Sequence, residues 1–248
     1  MRSYAIGDVH GQLERLRAAH DWIAADRAAC GDAASPVIHL GDLVDRGPDS
    51  CGIIAYLMAG RDAGAPWIFL QGNHDRMFAG FLNDPFRQDP GLRSELSWLH
   101  PALGGIATLA SYGVALPADR PLALVHSEAV AQVPGAHRAF LAAMAPFHRR
   151  GEALFVHAGI RPGIALADQS PDDLCWIREP FLSDTSDHGF LVVHGHTAIP
   201  EAMHYGNHLN IDTRAGYGGP VTPVVIEGRQ AWRLGPGGRS PLPPMGPV

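Results

Sequence analysis

Five short apolar runs in this chain end in the same way, with a glycine or alanine beside a carboxylate, an amide or an imidazole. Tyr4-Ala5-Ile6 runs into Gly7-Asp8-Val9-His10-Gly11, and Val37-Ile38-His39-Leu40 into Gly41-Asp42. Trp67-Ile68-Phe69-Leu70 ends in Gln71-Gly72-Asn73-His74-Asp75. Ala153-Leu154-Phe155-Val156 ends in His157-Ala158-Gly159, and Phe190-Leu191-Val192-Val193 in His194-Gly195-His196-Thr197. Ligand-capable side chains flanked by glycine are poor core material, but they suit a strand tip that must approach a ligand closely. Between the first runs the spacing is helical: Leu13, Leu16, His20 and Ile23 share one face of a stretch over 12–29, and a second helical stretch covers 50–60. Strand, helix, strand, helix, strand argues for an α/β chain with parallel strands joined by crossover helices. In such sheets the ligand crevice lies at the carboxyl ends of the strands, so the five endings should converge.

The remainder adds strands near 208–212, 221–227 and 230–234, while 76–150 reads as helical or irregular. The ending GPGGRSPLPPMGPV is rich in proline and glycine and reads as disordered. The expectation is therefore one domain over 1–234 with a flexible tail over 235–248. A chain of 248 residues that is 46% hydrophobic suits a single domain. A net charge of −6 gives no global basic field, so no nucleic-acid partner is expected. Three scattered cysteines, Cys30, Cys51 and Cys175, suggest reduced thiols in a cytoplasmic protein, with neither a disulfide frame nor a cysteine zinc site. The chain opens without a signal-peptide core, and no apolar run approaches the roughly 18 residues of a spanning helix. No membrane association is expected.

A single Asp-x-His after a strand is ordinarily a turn with a surface histidine. Five ligand-bearing strand ends in one chain are far harder to assemble by chance. Carboxylates, an amide oxygen and neutral imidazoles, with no thiolate among them, suit Mn, Fe(II), Zn or Co. The ligands suffice for two ions, with Asp42 as the natural bridge. Two ions about 3.5–4 Å apart can hold a hydroxide between them and clamp a phosphoryl group for in-line attack. Arg46, in Gly41-Asp42-Leu43-Val44-Asp45-Arg46-Gly47, offers a planar fork to phosphate oxygens. His74 adjoins Asn73 and could face the same crevice as general acid. Asp45 could hold its other ring nitrogen, fixing the tautomer and raising its pKa.

Taken together, GDVHG at 7–11, GDLVDRG at 41–47, GNHD at 72–75, HAG at 157–159 and GHT at 195–197 resemble the phosphoprotein phosphatase family of calcineurin-like metallophosphoesterases. The likeness runs from residue 3 to about 228. WLHPALGGIATLASYG at 98–113, CWIRE at 175–179 and NIDTRAGYGG at 210–219 look like its bacterial serine/threonine branch. The resemblance implies a metallophosphoesterase fold of two packed mixed β-sheets flanked by helices, with a dimetal site at the strand C-terminal ends. It implies that Asp8 and His10 hold the first metal, Asp42 bridges, and Asn73, His157 and His196 hold the second. His74 would protonate the leaving group, oriented by Asp45, and Arg46 and Arg178 would bind substrate phosphate. Manganese usually supports activity in bacterial members; iron and zinc occur in others. The activity implied first is a protein serine/threonine phosphatase, extending to phosphotyrosine as a dual-specificity enzyme. The alternative is a symmetrical diadenosine tetraphosphate or other nucleotide hydrolase. The substrate is accordingly a phosphoprotein or a small phosphoester. Intact Asp45 supports the first reading, while GNHD and the Gly/Pro-rich loops leave room for the second. Arg214 stands where the branch commonly has glycine and reads as a surface residue; Arg161 lies near the metal loop; His194 reads as a packing residue.

Overall fold

The computed structural model describes residues 1–117 and 119–245. It opens with β1 (Arg2–Ile6), α1 (Leu13–Cys30), β2 (Val37–His39), α2 (Ser50–Asp62) and β3 (Trp67–Phe69). Helices α3 (Asn73–Asn83), α4 (Gly105–Ser111), α5 (Leu122–Gln132) and α6 (Gly135–Ala142) follow. Then come β4 (Phe147–Arg150), β5 (Ala153–Val156), α7 (Pro171–Trp176), β6 (Leu191–His194), β7 (Met203–His204) and β8 (His208–Asn210). The chain finishes with β9 (Val224–Glu227), β10 (Gln230–Gly235) and β11 (Gly238–Leu242). Local chemistry sets several boundaries. The Asp49 carboxylate caps α2 by accepting from the Gly52 N–H, α1 ends at Gly31 in the left-handed region, and Ser170 with Pro171 opens α7.

The strands form two mixed sheets, ordered β11-β10-β9-β1-β2-β3 and β4-β5-β6-β8-β7. β1, β2 and β3 run parallel, as do β5, β6 and β8, so the crossover expectation holds for the strands that carry the motifs. Two-residue alternation explains the layering. Ala5, Ile38, Phe155, Val193, Val224 and Ile226 point between the sheets into a shared core. Tyr4, Ile6, Val37 and Val225 point outward onto a cluster with Leu16, Ile23, Ile53 and Leu57 of α1 and α2. Leu154, Val156 and Val192 face the opposite side, where Leu174 of α7 and Phe181 pack. The fold is thus helix, sheet, sheet, helix. Among the described residues no helix is long and apolar enough to cross a membrane.

Two sequence expectations need correction. Residues 147–150, within the stretch read as helical or irregular, form β4 and pair antiparallel with β5. The segment expected to be a flexible tail contributes β11, which pairs antiparallel with β10 from Ala231↔Leu242 to Gly235↔Gly238. Pro236-Gly237 makes a two-residue hairpin turn, and Pro241 is tolerated because β11 is an edge strand. Arg239 fastens the strand to α1 and β9 by ion pairs with Asp26 at 2.6 Å and Glu227 at 2.9 Å. Residues 246–248, the end of that expected tail, lie outside the described residues.

Candidate active site

The tips of both sheets meet at one place. Asp8 and His10 follow β1, Asp42 follows β2 by three residues, and Asn73 opens α3 just after β3. From the second sheet, His157 follows β5 and His196 follows β6. Asn73 Oδ1 lies 2.9 Å from both His157 Nε2 and His196 Nδ1. Asp42 spans the group: one oxygen is 3.4 Å from His157 Nε2 and the other is 3.6 Å from His10 Nε2. Asp8 reaches His10 Nε2 at 3.9 Å. Donor atoms of His10, Asp42 and His74 lie within 4.8 Å of one another, as do those of Asp42, His157 and His196.

The backbone is bent to bring these atoms together. A Cβ at Gly195 would stand 2.1 Å from Asp8 Oδ1, and one at Gly72 would stand 2.2 Å from Asp42 Oδ1, so both positions require glycine. Among the described residues six non-glycine residues have positive φ: His10, Asp42, Asp45, Arg46, His196 and Arg214. The first five of these are candidate site residues. Left-handed backbone costs such residues roughly 1–2 kcal/mol each, and strain of this kind gathers where the surrounding fold over-determines a working geometry.

The proton positions ask for cations. His157 Nδ1 donates to the Leu40 carbonyl at 2.8 Å, which leaves a lone pair on Nε2 facing the Asn73 oxygen. His10 Nδ1 donates to the Val44 carbonyl at 2.9 Å, which leaves its Nε2 lone pair beside Asp42 and Asp8, where an Arg46 N–H also reaches it. Burial holds His157 down to about 3, and burial lowers His10 and His196 well below the ordinary range, so none carries a proton to bridge these acceptors. The Asp8 and Asp42 carboxyls are pushed well above theirs by burial, then by Asp212 and Asp75 respectively. Nε2 of His196 is buried without a partner. Acceptors facing acceptors, and carboxylates crowded together in a dry site, fit divalent cations well. The oxygen and imidazole donors suit manganese, iron or zinc.

Beside this cluster, His74 Nδ1 donates to Asp45 Oδ2 at 2.6 Å. Asp45 is fully buried and also accepts from Trp98 Nε1 at 2.8 Å and from the Thr108 hydroxyl at 2.6 Å. The pairing expected of His74 and Asp45 is present, but the expected rise in the His74 pKa is not. Burial, followed by the Arg46 charge, holds His74 well below its ordinary value. Arg46 donates to His10 Nε2 at 2.5 Å and to His74 Nε2 at 3.0 Å. The Arg46 donor on the Nε2 lone pair adds to burial in opposing protonation. Asp45 itself is raised to about 7, chiefly by burial.

A cavity of about 200 Å³ opens over the cluster, with Arg46 and Arg178 in its walls together with Asp42, Asn73, His74 and His196. The structure therefore brings every sequence-predicted site residue to one place, Asp8, His10 and His157 beneath the cavity and Asp45 behind His74. Arg161 turns away and pairs with Asp173 at 2.7 Å. His194 packs against Phe181 and His208. Sequence reasoning missed four participants. Asp212 lines the cavity two residues beyond β8, and the strand-then-carboxylate pattern could have flagged it. Asp75 accepts from the Leu43 and Gly72 N–H groups at 3.0 Å and fixes the two loops that carry Asp42 and Asn73. Trp98 and Thr108 lie in the 98–113 stretch, where no local pattern announces that they reach Asp45.

Comparison with known proteins agrees with this geometry. The chain is 37% identical over 75 residues to the symmetrical bis(5′-nucleosyl)-tetraphosphatase of Pseudomonas fluorescens (strain SBW25), a match covering 30% of this chain and 24% of that protein. The corresponding enzyme of Pseudomonas entomophila (strain L48) is 36% identical over 75 residues, again covering 30% and 24%. The match thus spans about a quarter of the length of these curated relatives. Among solved structures, a protein assigned as a diadenosine tetraphosphatase superposes with a TM-score of 0.64 at 19% identity, covering 94% of this chain and 93% of that one. A cold-active protein-tyrosine phosphatase of a psychrophilic Shewanella superposes with a TM-score of 0.61 at 16% identity, covering 98% and 80%. At such identities these two share the fold. The model of the calcineurin-like phosphoesterase family matches residues 1–218, which takes in all five strand-tip motifs and every strand but β9, β10 and β11, and the chain belongs to that family.

Proposed function

We propose that this protein is a metal-dependent hydrolase of nucleotide phosphoanhydrides, of the symmetrical bis(5′-nucleosyl)-tetraphosphatase kind. The observation that carries the chemistry is the convergence of strand-tip donors on Asp42 beneath a cavity walled by two guanidiniums. The substrate rests on the 75-residue likeness to tetraphosphatases, which stands against the sequence reading's preference for phosphoproteins. Asp8, His10 and Asp42 would hold one divalent cation and Asp42, Asn73, His157 and His196 the other, with manganese the expected metal. When bound, the pair supplies charge neutralisation and an activated water. Arg46 and Arg178 bind the non-bridging phosphoryl oxygens, Arg46 through its fork. An incoming phosphate draws the Arg46 guanidinium from His74 Nε2, so that this nitrogen can hold a proton for the departing oxygen. Asp45 keeps Nδ1 protonated, which aims Nε2 at the cavity. The three free cysteines support a reducing, cytoplasmic setting.

A second reading, a serine/threonine phosphatase acting on phosphoproteins, is favoured by the buried Asp45–His74 pair at 2.6 Å. A serine alkoxide needs a proton to leave, whereas a nucleoside diphosphate leaves with little help. The deciding experiment measures kcat/KM on diadenosine tetraphosphate and on phosphoserine and phosphothreonine peptides, side by side, with added Mn(II) and after EDTA treatment. Symmetrical release of ADP at the higher kcat/KM, abolished by EDTA and restored by Mn(II), is expected. A higher value on the peptides reverses the order, and turnover that survives thorough metal removal defeats both readings.

A further inference from the structure

We propose that the apolar cleft beside the metal-ligand cluster, lined by Pro101, Ile106, Ala107, Ala110 and Tyr217, seats a nucleobase of the substrate. The inference rests on the nucleotide reading above and gives it a subsite. The cleft has a volume of about 600 Å³ and shares two walls, Arg46 and Tyr217, with the 200 Å³ cavity over the ligands. Its size lies within the range of small-molecule sites.

The placement suits a group tethered to a bound phosphate. The backbone N–H of Arg46 donates to the Gly104 carbonyl at 3.2 Å, so the start of α4 is pinned against the phosphate-binding loop. The six steps from Gly104 to Ala110 advance about 9 Å along the helix, at about 1.5 Å each. That is enough for a diphosphate and ribose to carry a base from Arg46 onto the α4 face. The Arg46 guanidinium lies 4.7 Å from the centroid of the Tyr217 ring, so the phosphate-binding cation and the aromatic form one continuous surface. Tyr217 is 61% exposed and Ile106 36% exposed, which leaves apolar surface open at the mouth of the site.

The lining also selects the occupant. Arg46 is its one charged side chain among the described residues, and alanines, proline, isoleucine and glycine make up most of the remainder. A peptide laid there would bring backbone N–H and C=O groups with few partners, at a cost in each unsatisfied group. A base presents a π-face to an aromatic ring and methyl groups while its polar edge stays in water.

Two non-hydrolysable probes test this on the full-length, manganese-loaded protein by titration calorimetry: methylenediphosphonate, and the same group bearing adenosine (adenosine 5′-methylenediphosphonate). Base stacking on an aromatic predicts that the adenosine form binds roughly 5- to 100-fold more tightly. That ratio should collapse toward one in Ile106→Glu, which puts a charge in the cleft, and in Ala110→Trp, which fills it. Both positions are exposed on α4, so the fold should tolerate them. A ratio near one in the wild type, or a ratio preserved in both variants, overturns the proposal. The underlying reading fails separately, if the wild type releases no ADP from diadenosine tetraphosphate; the binding ratio judges the cleft either way.

Discussion

Asp45 is the residue whose replacement separates positioning from stability. Its Oδ2 accepts from His74 Nδ1 and Trp98 Nε1, and its Oδ1 accepts from the Thr108 hydroxyl. In Asp45→Asn the amide oxygen can take the Oδ2 place and keep both N–H donors. The amide nitrogen can then donate to Thr108, whose hydroxyl turns to Ser50 Oγ, 3.0 Å away. The His74 tautomer survives and only the charge is lost. In Asp45→Ala both N–H groups are stranded in a dry site, at about 1–3 kcal/mol each. The alanine variant should therefore be less stable than the asparagine variant by roughly 2–6 kcal/mol.

The pH dependence has a definite sign. Burial raises the Asp45 carboxyl from 3.8 to about 7, so between those values the folded state holds a proton that the unfolded chain has released. The wild type then loses stability as pH rises through this window, by up to about 4 kcal/mol at about 1.4 kcal/mol per pH unit. Asp45→Asn does not titrate. Measured by urea unfolding in EDTA, its stability relative to the wild type should increase between pH 5 and 8. With the metal restored, kcat on phosphoserine should fall roughly 10- to 100-fold for want of a carboxylate to stabilise the protonated imidazole, within the usual worth of general acid catalysis. Turnover of p-nitrophenyl phosphate, whose leaving group needs little protonation, should change far less. Equal stability of the two variants would refute the hydrogen-bond assignment. A relative stability that falls with pH would show the carboxylate to be ionised and favoured by the fold. An equal kcat loss on both substrates would remove His74 as the acid.

Two further outcomes follow from the same geometry. Arg214 has φ 68°, so Arg214→Gly should be neutral or slightly stabilising, since relief of about 1 kcal/mol of left-handed strain offsets the glycine's larger unfolded-state entropy. A clear fall in Tm would mean that its guanidinium, 6.0 Å from the Tyr217 ring, contributes more than its backbone costs. Arg239→Ala removes ion pairs to Asp26 and Glu227 from a side chain that is only 26% exposed. It should cost about 1–2 kcal/mol after solvent screening and speed proteolysis within 236–245; unchanged proteolysis would show that the β10 pairing alone holds the strand.

Much of the site was legible because its ligands sit at strand ends, where a period-2 apolar run gives way abruptly to glycine and a polar side chain. That switch is local, so Asp8, Asp42, Asn73, His157 and His196 can be found without knowing the fold. Asp212 obeys the same rule but falls inside the strand expected near 208–212, whereas β8 stops at Asn210. The departure at Arg214 was visible as a residue replacing a common glycine, but only the positive φ explains why glycine suits that position.

Other features had no local signature. Trp98 and Thr108 reach Asp45 across 53 and 63 residues of chain. The apolar cleft exists because α4 is pinned beside Arg46, and the depressed His74 pKa exists because the fold buries the ring and then sets the Arg46 charge beside it. The last strand was misread because proline and glycine lower intrinsic order, whereas an edge pairing and two ion pairs supply it from outside. Local composition and spacing determined which residues could do chemistry and at which strand tips they would stand. Tertiary packing alone decided which of them face one another, how dry they become and what fits beside them, because burial and charge proximity depend on distances in space that chain order does not contain.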